Sequence, residues 1–495
     1  MPYFLPLLHG KGPEAKSSMQ HFARVIVSLS IVTGVAGTAF AQSTSAINGG
    51  IQFDFSLPGA RSLAMAGAFV ALADDATASQ ANPAGLTVLT RPEISFEGRA
   101  WNFFSLTPDR GNAFGNATGI GVDTVSGISN NELRDSTFFG PSFLSIVWPG
   151  ESWAIAGYRQ QFSNFKNRIL SNGPFFTSAG GVERLNPVTA EIELDISAYG
   201  VSGARRFGPR LSVGVGLAYY DFALHSRSQS YLVLPHGVLL PADLRDDFTG
   251  PGQQFGPADF SDANVFFRQE QDGENGAWAL NGGLTYQVSE RVRIGAAARQ
   301  GPDFTYGSKF FGGPAHARVE SPLSGVLIDQ DDDILFHVPD SYAFGVMFRP
   351  NDNLSINIEY DRVQYSQLLN GDGDGRPVET AGQLQSPDPA VREEGRKNVE
   401  GLALDDSNQL RFGGEWFVPG PQLLIRFGTW FDPDHRQRFT DQSLPKSVLN
   451  TPEGSDEFHV AGGVGKDFGN FRIDGAFDLS PRLNTFSVSG VFYLR

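Results

Sequence analysis

Ala190-Glu-Ile-Glu-Leu-Asp-Ile-Ser-Ala-Tyr-Gly-Val201 alternates between apolar and polar residues for most of its length. Ile192, Leu194, Ile196 and Ala198 share one face, and Glu191, Glu193, Asp195 and Ser197 share the other. Successive side chains of an extended strand point to opposite sides, so this segment is a strand with an oily face and a wet face. A Gly208-Pro209 turn separates it from Leu211-Ser-Val-Gly-Val-Gly-Leu-Ala-Tyr219, which repeats the pattern with Ser, Gly and Ala between large apolar residues. Reading outward, fourteen such segments follow one another: 93–104, 138–148, 152–163, 190–206, 210–226, 277–288, 291–302, 341–349, 353–365, 408–418, 421–431, 457–467, 470–479 and 485–494.

The connections between them fall into two classes. One class is short and carries turn residues, as at Pro149-Gly150, Ser289-Glu290, Pro350-Asn351-Asp352, Pro419-Gly420 and Phe468-Gly469. The other class is long, at 105–137, 164–189, 227–276, 303–340, 366–407 and 432–456. Alternating short turns and long loops mark an outer-membrane barrel. A soluble β-sandwich has no reason to segregate loops by length, and a propeller would repeat a blade motif that this sequence lacks. The fold class expected is all-β: a 14-stranded antiparallel transmembrane β-barrel preceded by an N-terminal hatch segment. Trp101, Trp148, Trp153, Trp278, Trp416 and Trp430 fall on or at the ends of these strands, where an aromatic belt would lie.

Composition agrees. The chain has 495 residues and a formal charge of −16, so it lacks the basic face that binds nucleic acid. It has no cysteine, which excludes disulfides, thiolate metal sites and cysteine nucleophiles. One long apolar run exists, Val25 to Ala41, preceded by His21 and Arg24 and closed by Ala39-Phe40-Ala41. This reads as a secretory signal peptide over residues 1–41, with Met19 as an alternative start. An exported chain with no later apolar run and many alternating strands belongs in the outer membrane of a diderm cell. The division expected is signal peptide 1–41, hatch 42–91 and barrel 92–495.

Residues 42–91 do not alternate. Their middle is rich in Ala and Gly, so the backbone can pack closely against other elements. Asn82-Pro83-Ala84-Gly85 suits a turn, with Asn at the first position, Pro fixing φ at the second and Gly at the fourth. A fourteen-stranded barrel encloses more space than its own side chains fill, and this segment is placed to plug it.

The run Gly59-Ala-Arg-Ser-Leu-Ala-Met-Ala-Gly67, then Ala73-Asp-Asp-Ala76, Asn82-Pro-Ala-Gly-Leu86 and Arg91-Pro92, resembles the hatch of the outer-membrane long-chain fatty-acid transporters of FadL/TodX type. Val338-Pro-Asp-Ser-Tyr-Ala-Phe-Gly345 and Ile358-Glu-Tyr-Asp-Arg-Val-Gln-Tyr-Ser366 are similar to that family's central strands. The resemblance implies a barrel closed by its hatch at Asn82, Pro83, Ala84 and Gly85. It also implies passive uptake of hydrophobic small molecules such as long-chain fatty acids. The other reading is a barrel scaffold or shuttle that binds secreted proteins, which long loops suit.

Within this reading the candidate ligand residues are Lys309, Phe310 and Phe311, a cation beside two aromatics in a long connection, and Arg159 near Phe162. A carboxylate in an apolar pocket needs a cation or several donors. Glu97 and Arg99 share the polar face of the first strand and are candidates to tie the hatch to the wall. Asn370, Asp372 and Asp374 place oxygens as a calcium loop does, but Ala381 stands where its bidentate Glu would be, so a flexible acidic turn is the better reading. No metal and no cofactor is expected, and no nucleophile motif points to an enzyme. The partners expected are a hydrophobic small-molecule ligand and outer-membrane lipid, with the chain acting as a monomer.

Overall fold

The computed structural model describes residues 55–103, 106–110, 112–114, 126–129, 137–173, 175–178, 181–184, 187–231, 260–312, 328–368, 402–435, 438–439, 456–481 and 483–494. The barrel strands are β1 (Glu93–Phe103), β2 (Thr137–Pro149), β3 (Trp153–Ser171), β4 (Val188–Phe207), β5 (Leu211–Tyr231), β6 (Val265–Ser289) and β7 (Val292–Arg299). They continue with β8 (Ser341–Asn351), β9 (Leu354–Val363), β10 (Ser407–Val418), β11 (Leu423–Asp432), β12 (Glu457–Asp467), β13 (Phe471–Leu479) and β14 (Leu483–Tyr493). Each pairs antiparallel with its sequence neighbours, and β1 pairs with β14 from Glu93 opposite Tyr493 to Phe103 opposite Leu483. The sheet therefore closes into a fourteen-stranded barrel.

Alternation sets which side chains face out. On β5, Val213, Val215, Leu217 and Tyr219 point outward and are exposed, while Gly214, Gly216, Ala218 and Tyr220 point inward and are buried. Leu144, Ile155, Val201, Leu280, Phe344, Ile358, Phe427, Val460 and Val488 extend the same exposed apolar surface around the wall. A surface this apolar on a closed barrel is solvated by lipid, so the barrel crosses a bilayer with its strands. Trp148, Trp153, Trp278 and Trp416 are exposed with this band; Trp101 is buried, and Trp430 packs on inward-facing His459 and Arg411.

Above the band the faces exchange character. On β4, Leu194, Ile196 and Ala198 are buried in the lumen, while outward Glu191, Glu193 and Asp195 precede outward Tyr199 and Val201. The oily face of the segment that first revealed the strand pattern is thus the inner face, and its wet face lies beyond the lipid. The same residues continue the ladder well past the membrane, which is why β3, β5 and β6 intrude into stretches expected as long loops. A second such extension is the hairpin of Asp303–Gly312 and Ile328–His337, in register with β7 and β8 but separated from them by Gln300-Gly-Pro302 and Val338-Pro-Asp340. Pro302 and Pro339 have no N–H to give to a ladder, so both strands break at the same level.

Residues 55–91 lie inside this wall. Helix α1 (Ala60–Ala64) packs on β12, β13 and β14, and α2 (Ala78–Ala81) leads into a 3-10 turn, Pro83–Val88, that packs on β4, β5 and β6. Nearly every residue from Ala60 to Thr87 is buried. The inward faces of the strands carry glycine where this segment touches them. A Cβ at Gly413 would lie 2.5 Å from the Met65 carbonyl oxygen, at Gly428 2.5 Å from the Met65 carbonyl carbon, at Gly295 2.6 Å from the Val70 oxygen and at Gly463 2.7 Å from Ala64 Cβ. Such distances are inside van der Waals contact, so only glycine lets the two backbones meet.

Candidate functional site

The site has two storeys, a polar seat for the N-terminal segment and an apolar lumen above it. Asn82 centres the seat. Its Oδ1 accepts from Ala84 N at 3.2 Å, and its Nδ2 donates to the Val70 oxygen at 2.8 Å and to the Leu284 oxygen of β6 at 3.3 Å. Pro83 starts the 3-10 turn, where a missing N–H costs nothing. Gly85 N donates to the Asn82 carbonyl, closing the expected turn, and a Cβ at Gly85 would collide with the Ala73 carbonyl. Replacing Asn82 by alanine removes a cap and leaves the buried Val70 oxygen unpaired, a loss of about 2 kcal/mol or more to the seat. We expect faster hydrogen exchange at residues 82–88 with unchanged protection in the barrel strands; equal exchange throughout would refute this role.

On one side the seat is held by charge. Arg61 forks onto Glu415 with Nε and Nη2 each at 2.8 Å, and its Nη1 meets Asp74 at 2.6 Å and Asp75 at 3.2 Å. Glu415 also accepts from Arg426 at 2.7 Å, Arg426 donates to Asp474 at 2.7 Å, Asp474 accepts from Arg472 at 2.9 Å, and Arg472 donates to Asp75 at 2.8 Å. The contacts form a closed ring of alternating sign joining the segment to β10, β11 and β13. Burial alone would raise the Asp75 carboxyl, but Arg472 and Arg61, with the Thr77 hydroxyl, bring it down to about 2. Glu359 of β9 accepts from Phe69 N and Val70 N at 2.7 Å each, and Arg411 donates to the Ala66 oxygen at 2.9 Å. On the other side the ties are uncharged: Ser145 to the Ala76 oxygen at 3.1 Å, Ser202 to the Ser79 oxygen at 2.6 Å, and Thr87 with Ser212 at 2.7 Å.

Glu97 and Arg99 are both buried against the start of the segment. Gly59 N donates to Glu97 at 3.0 Å, and Arg99 donates to Glu97 at 2.8 Å, to the Leu57 oxygen at 2.9 Å and to Ser56. The other sequence candidates separate. Phe162 sits at a bulge of β3 in the lumen, edge-on to Phe55 at 5.7 Å and to Tyr220 at 5.5 Å. Arg159 shares the outward parity of Trp153 and Ile155 and bonds the Pro141 oxygen at 2.6 Å, Gln161 at 2.6 Å and Ser197 at 3.0 Å, so it does not join Phe162. Lys309 is exposed, on the opposite parity from lumenal Phe304 and Tyr306; Phe310 and Phe311 follow it in the hairpin strand. Asn370, Asp372 and Asp374 lie outside the described residues, as does the run 25–41.

The lumen above the seat is aromatic and aliphatic. Phe143, Tyr158, Phe162, Phe165, Leu194, Ile196, Tyr220, Phe222, Leu224, Phe304, Tyr306, Tyr365 and Leu368 form one buried cluster, with Phe222 stacked on Phe304 at 4.6 Å. Where the cluster meets the N-terminal segment, a small cavity, open in part to solvent, is lined by Phe55, Gln80, Arg299, Tyr342, Glu359, Asp361 and Arg411 among others. Sequence reasoning missed the charge ring and this polar cavity. The available signal was a pair of charged residues two apart on one strand face, as in Glu359 with Asp361 and Arg472 with Asp474, because charge on a lipid-crossing strand must face inward.

Solved structures share this architecture. A FadL homologue from Pseudomonas aeruginosa matches with a TM-score of 0.59 at 11% identity, covering 90% of this chain and 100% of that one. The toluene transporter TodX of P. putida matches with a TM-score of 0.55 at 14% identity, covering 89% and 100%. The toluene transporter TbuX of Ralstonia pickettii matches with a TM-score of 0.52 at 18% identity, again covering 89% and 100%. No protein-family model matches the sequence, and no curated protein matches it. The chain has the fold of the FadL homologue and of the toluene transporters TodX and TbuX, a fourteen-stranded membrane barrel.

Proposed function

We propose that this protein is an outer-membrane channel of FadL/TodX type for passive uptake of hydrophobic small molecules, long-chain fatty acids and monoaromatics among them. One observation carries the reading: the lumen above the N-terminal segment is lined by packed aromatic and aliphatic side chains, whereas a water-conducting barrel has a polar interior. An apolar solute gains from leaving water for such a lining, roughly 25 cal/mol for each Å² of its surface buried. Transfer is downhill, so neither a cofactor nor a catalytic group is required. The residues 55–91 act as the hatch, with Asn82, Pro83, Ala84 and Gly85 at its gate. The toluene transporters of the same fold, and the FadL homologue, support this class of solute.

Phe162 and Phe222 line the lumen where an apolar solute would rest. Cells producing the protein should take up radiolabelled toluene or oleate faster than cells lacking it, and Phe162→Ser with Phe222→Ser should slow uptake about tenfold or more through lost apolar contact. Heat-modifiable gel mobility would verify assembly. Equal uptake with and without the protein would refute the channel.

A further inference from the structure

We infer that the cavity between the hatch and the wall is a head-group subsite for an uncharged amphiphile that both donates and accepts hydrogen bonds, a primary carboxamide in its simplest form. This rests on the channel reading above and names its substrate class. Four polar groups carry the inference. Gln80 lines the cavity, is 3% exposed, and neither of its amide atoms has a hydrogen-bond partner among the described residues. Asp361 and Asn281 line it too, each with its Oδ1 unpartnered among the described residues. Arg299 lines it, makes no ion pair among the described residues, and places its guanidinium 5.9 Å over the Phe162 ring. The neighbouring charges are already matched: Glu359 by the Phe69 and Val70 amides, and Asp361 Oδ2 by Arg411 at 2.5 Å.

The free acceptors are Gln80 Oε1, Asp361 Oδ1 and Asn281 Oδ1, and the donors are Gln80 Nε2, also unpartnered, and the Arg299 guanidinium of the same lining. A primary carboxamide offers two N–H donors and one carbonyl with two lone pairs, so it serves two of these acceptors and both donors at once. A hydrocarbon matches none of them. A carboxylate can take the two donors but leaves all three acceptors unpaired and lies beside Asp361 and Glu359. Phe55, Phe162 and Val363 adjoin these groups and would receive the alkyl or aryl tail.

The test is equilibrium binding of octanamide, octanoate and n-octane to the full-length protein in lipid nanodiscs. Octanamide should bind at least about tenfold tighter than either of the others, since each unpaired buried group weakens binding by about that factor. Gln80→Met should abolish the margin and leave n-octane unchanged. Equal affinity for the three, or a margin that survives Gln80→Met, overturns the subsite and leaves the channel standing. If none binds and labelled toluene is not taken up either, the channel reading falls and takes the subsite with it. If Gln80→Met fails to assemble, the ranking of the three probes on the unaltered protein decides alone.

Discussion

Replacing Arg61 by alanine unseats the hatch and leaves the barrel closed. Arg61 is the one cation that the hatch itself contributes to the ring of Glu415, Arg426, Asp474, Arg472 and Asp75, and its side chain is 9% exposed. Without it, Glu415 and Asp75 keep Arg426 and Arg472, and Asp74 keeps only the longer contact with Arg349 at 3.6 Å. Removing one partner from a buried ion pair costs about 3–5 kcal/mol, because the remaining charge stays desolvated. That is a large share of what holds a 37-residue segment, spanning 55–91, whose other ties are hydrogen bonds worth about 1 kcal/mol where neutral, as at Ser145 and Ser202, and about 1.5–3 kcal/mol where charged, as at Glu359 and Arg411. The wall does not share the loss, since its ladders run strand to strand without passing through Arg61. In planar bilayers the variant should show a steady ion conductance that the parent lacks, with unchanged heat-modifiable mobility. Arg61→Lys should fall between the two, as it keeps the charge but not the fork onto Glu415. A variant as electrically silent as the parent would mean that the ring does not seat the hatch.

How much of this was legible beforehand follows from the range of the interactions. Alternation is local, so the fourteen strands could be read residue by residue, and β12 was placed at the bounds it has, Glu457–Asp467. The upper strand extensions read as loops in the sequence for a physical reason. Past Tyr219 the outward residues of β5 turn polar, Asp221, His225 and Arg227, so lipid no longer requires an oily outer face, although the ladder persists. The inner face stays apolar there, through Tyr220, Phe222 and Leu224, and a reading that equates apolar with outward loses its bearing. Glu97 and Arg99 could be singled out because two charges share one face of one strand. The ring could not, because Arg61 meets Glu415 across 354 positions of sequence and only closure of the barrel brings them together. Arg159 was a reasonable cation by composition, but parity on β3 sends it to the face away from Phe162.

The largest steric effect is expected at Gly413 and Gly428, which lie opposite each other on β10 and β11. A Cβ at either would sit 2.5 Å from the Met65 carbonyl group, and valine would add two methyl groups beyond it. Overpacking a core ordinarily costs about 1–3 kcal/mol because neighbours can give way. Here the neighbour is backbone, fixed from behind by Arg411 on the Ala66 oxygen and by Glu359 on the Phe69 and Val70 amides. Yielding therefore means breaking those contacts as well, and the two costs add at sites that share a partner. Gly413→Val with Gly428→Val should cut the yield of assembled, heat-modifiable protein about tenfold, and the fraction that assembles should conduct ions. Gly157→Val is the control, because a Cβ there meets nothing within 4 Å. If the double variant assembles and stays closed as well as Gly157→Val does, the hatch backbone does not rest on these glycines. If only the double variant fails, the glycines define the shape of the seat, and the charge ring then sets how firmly the hatch is held within it.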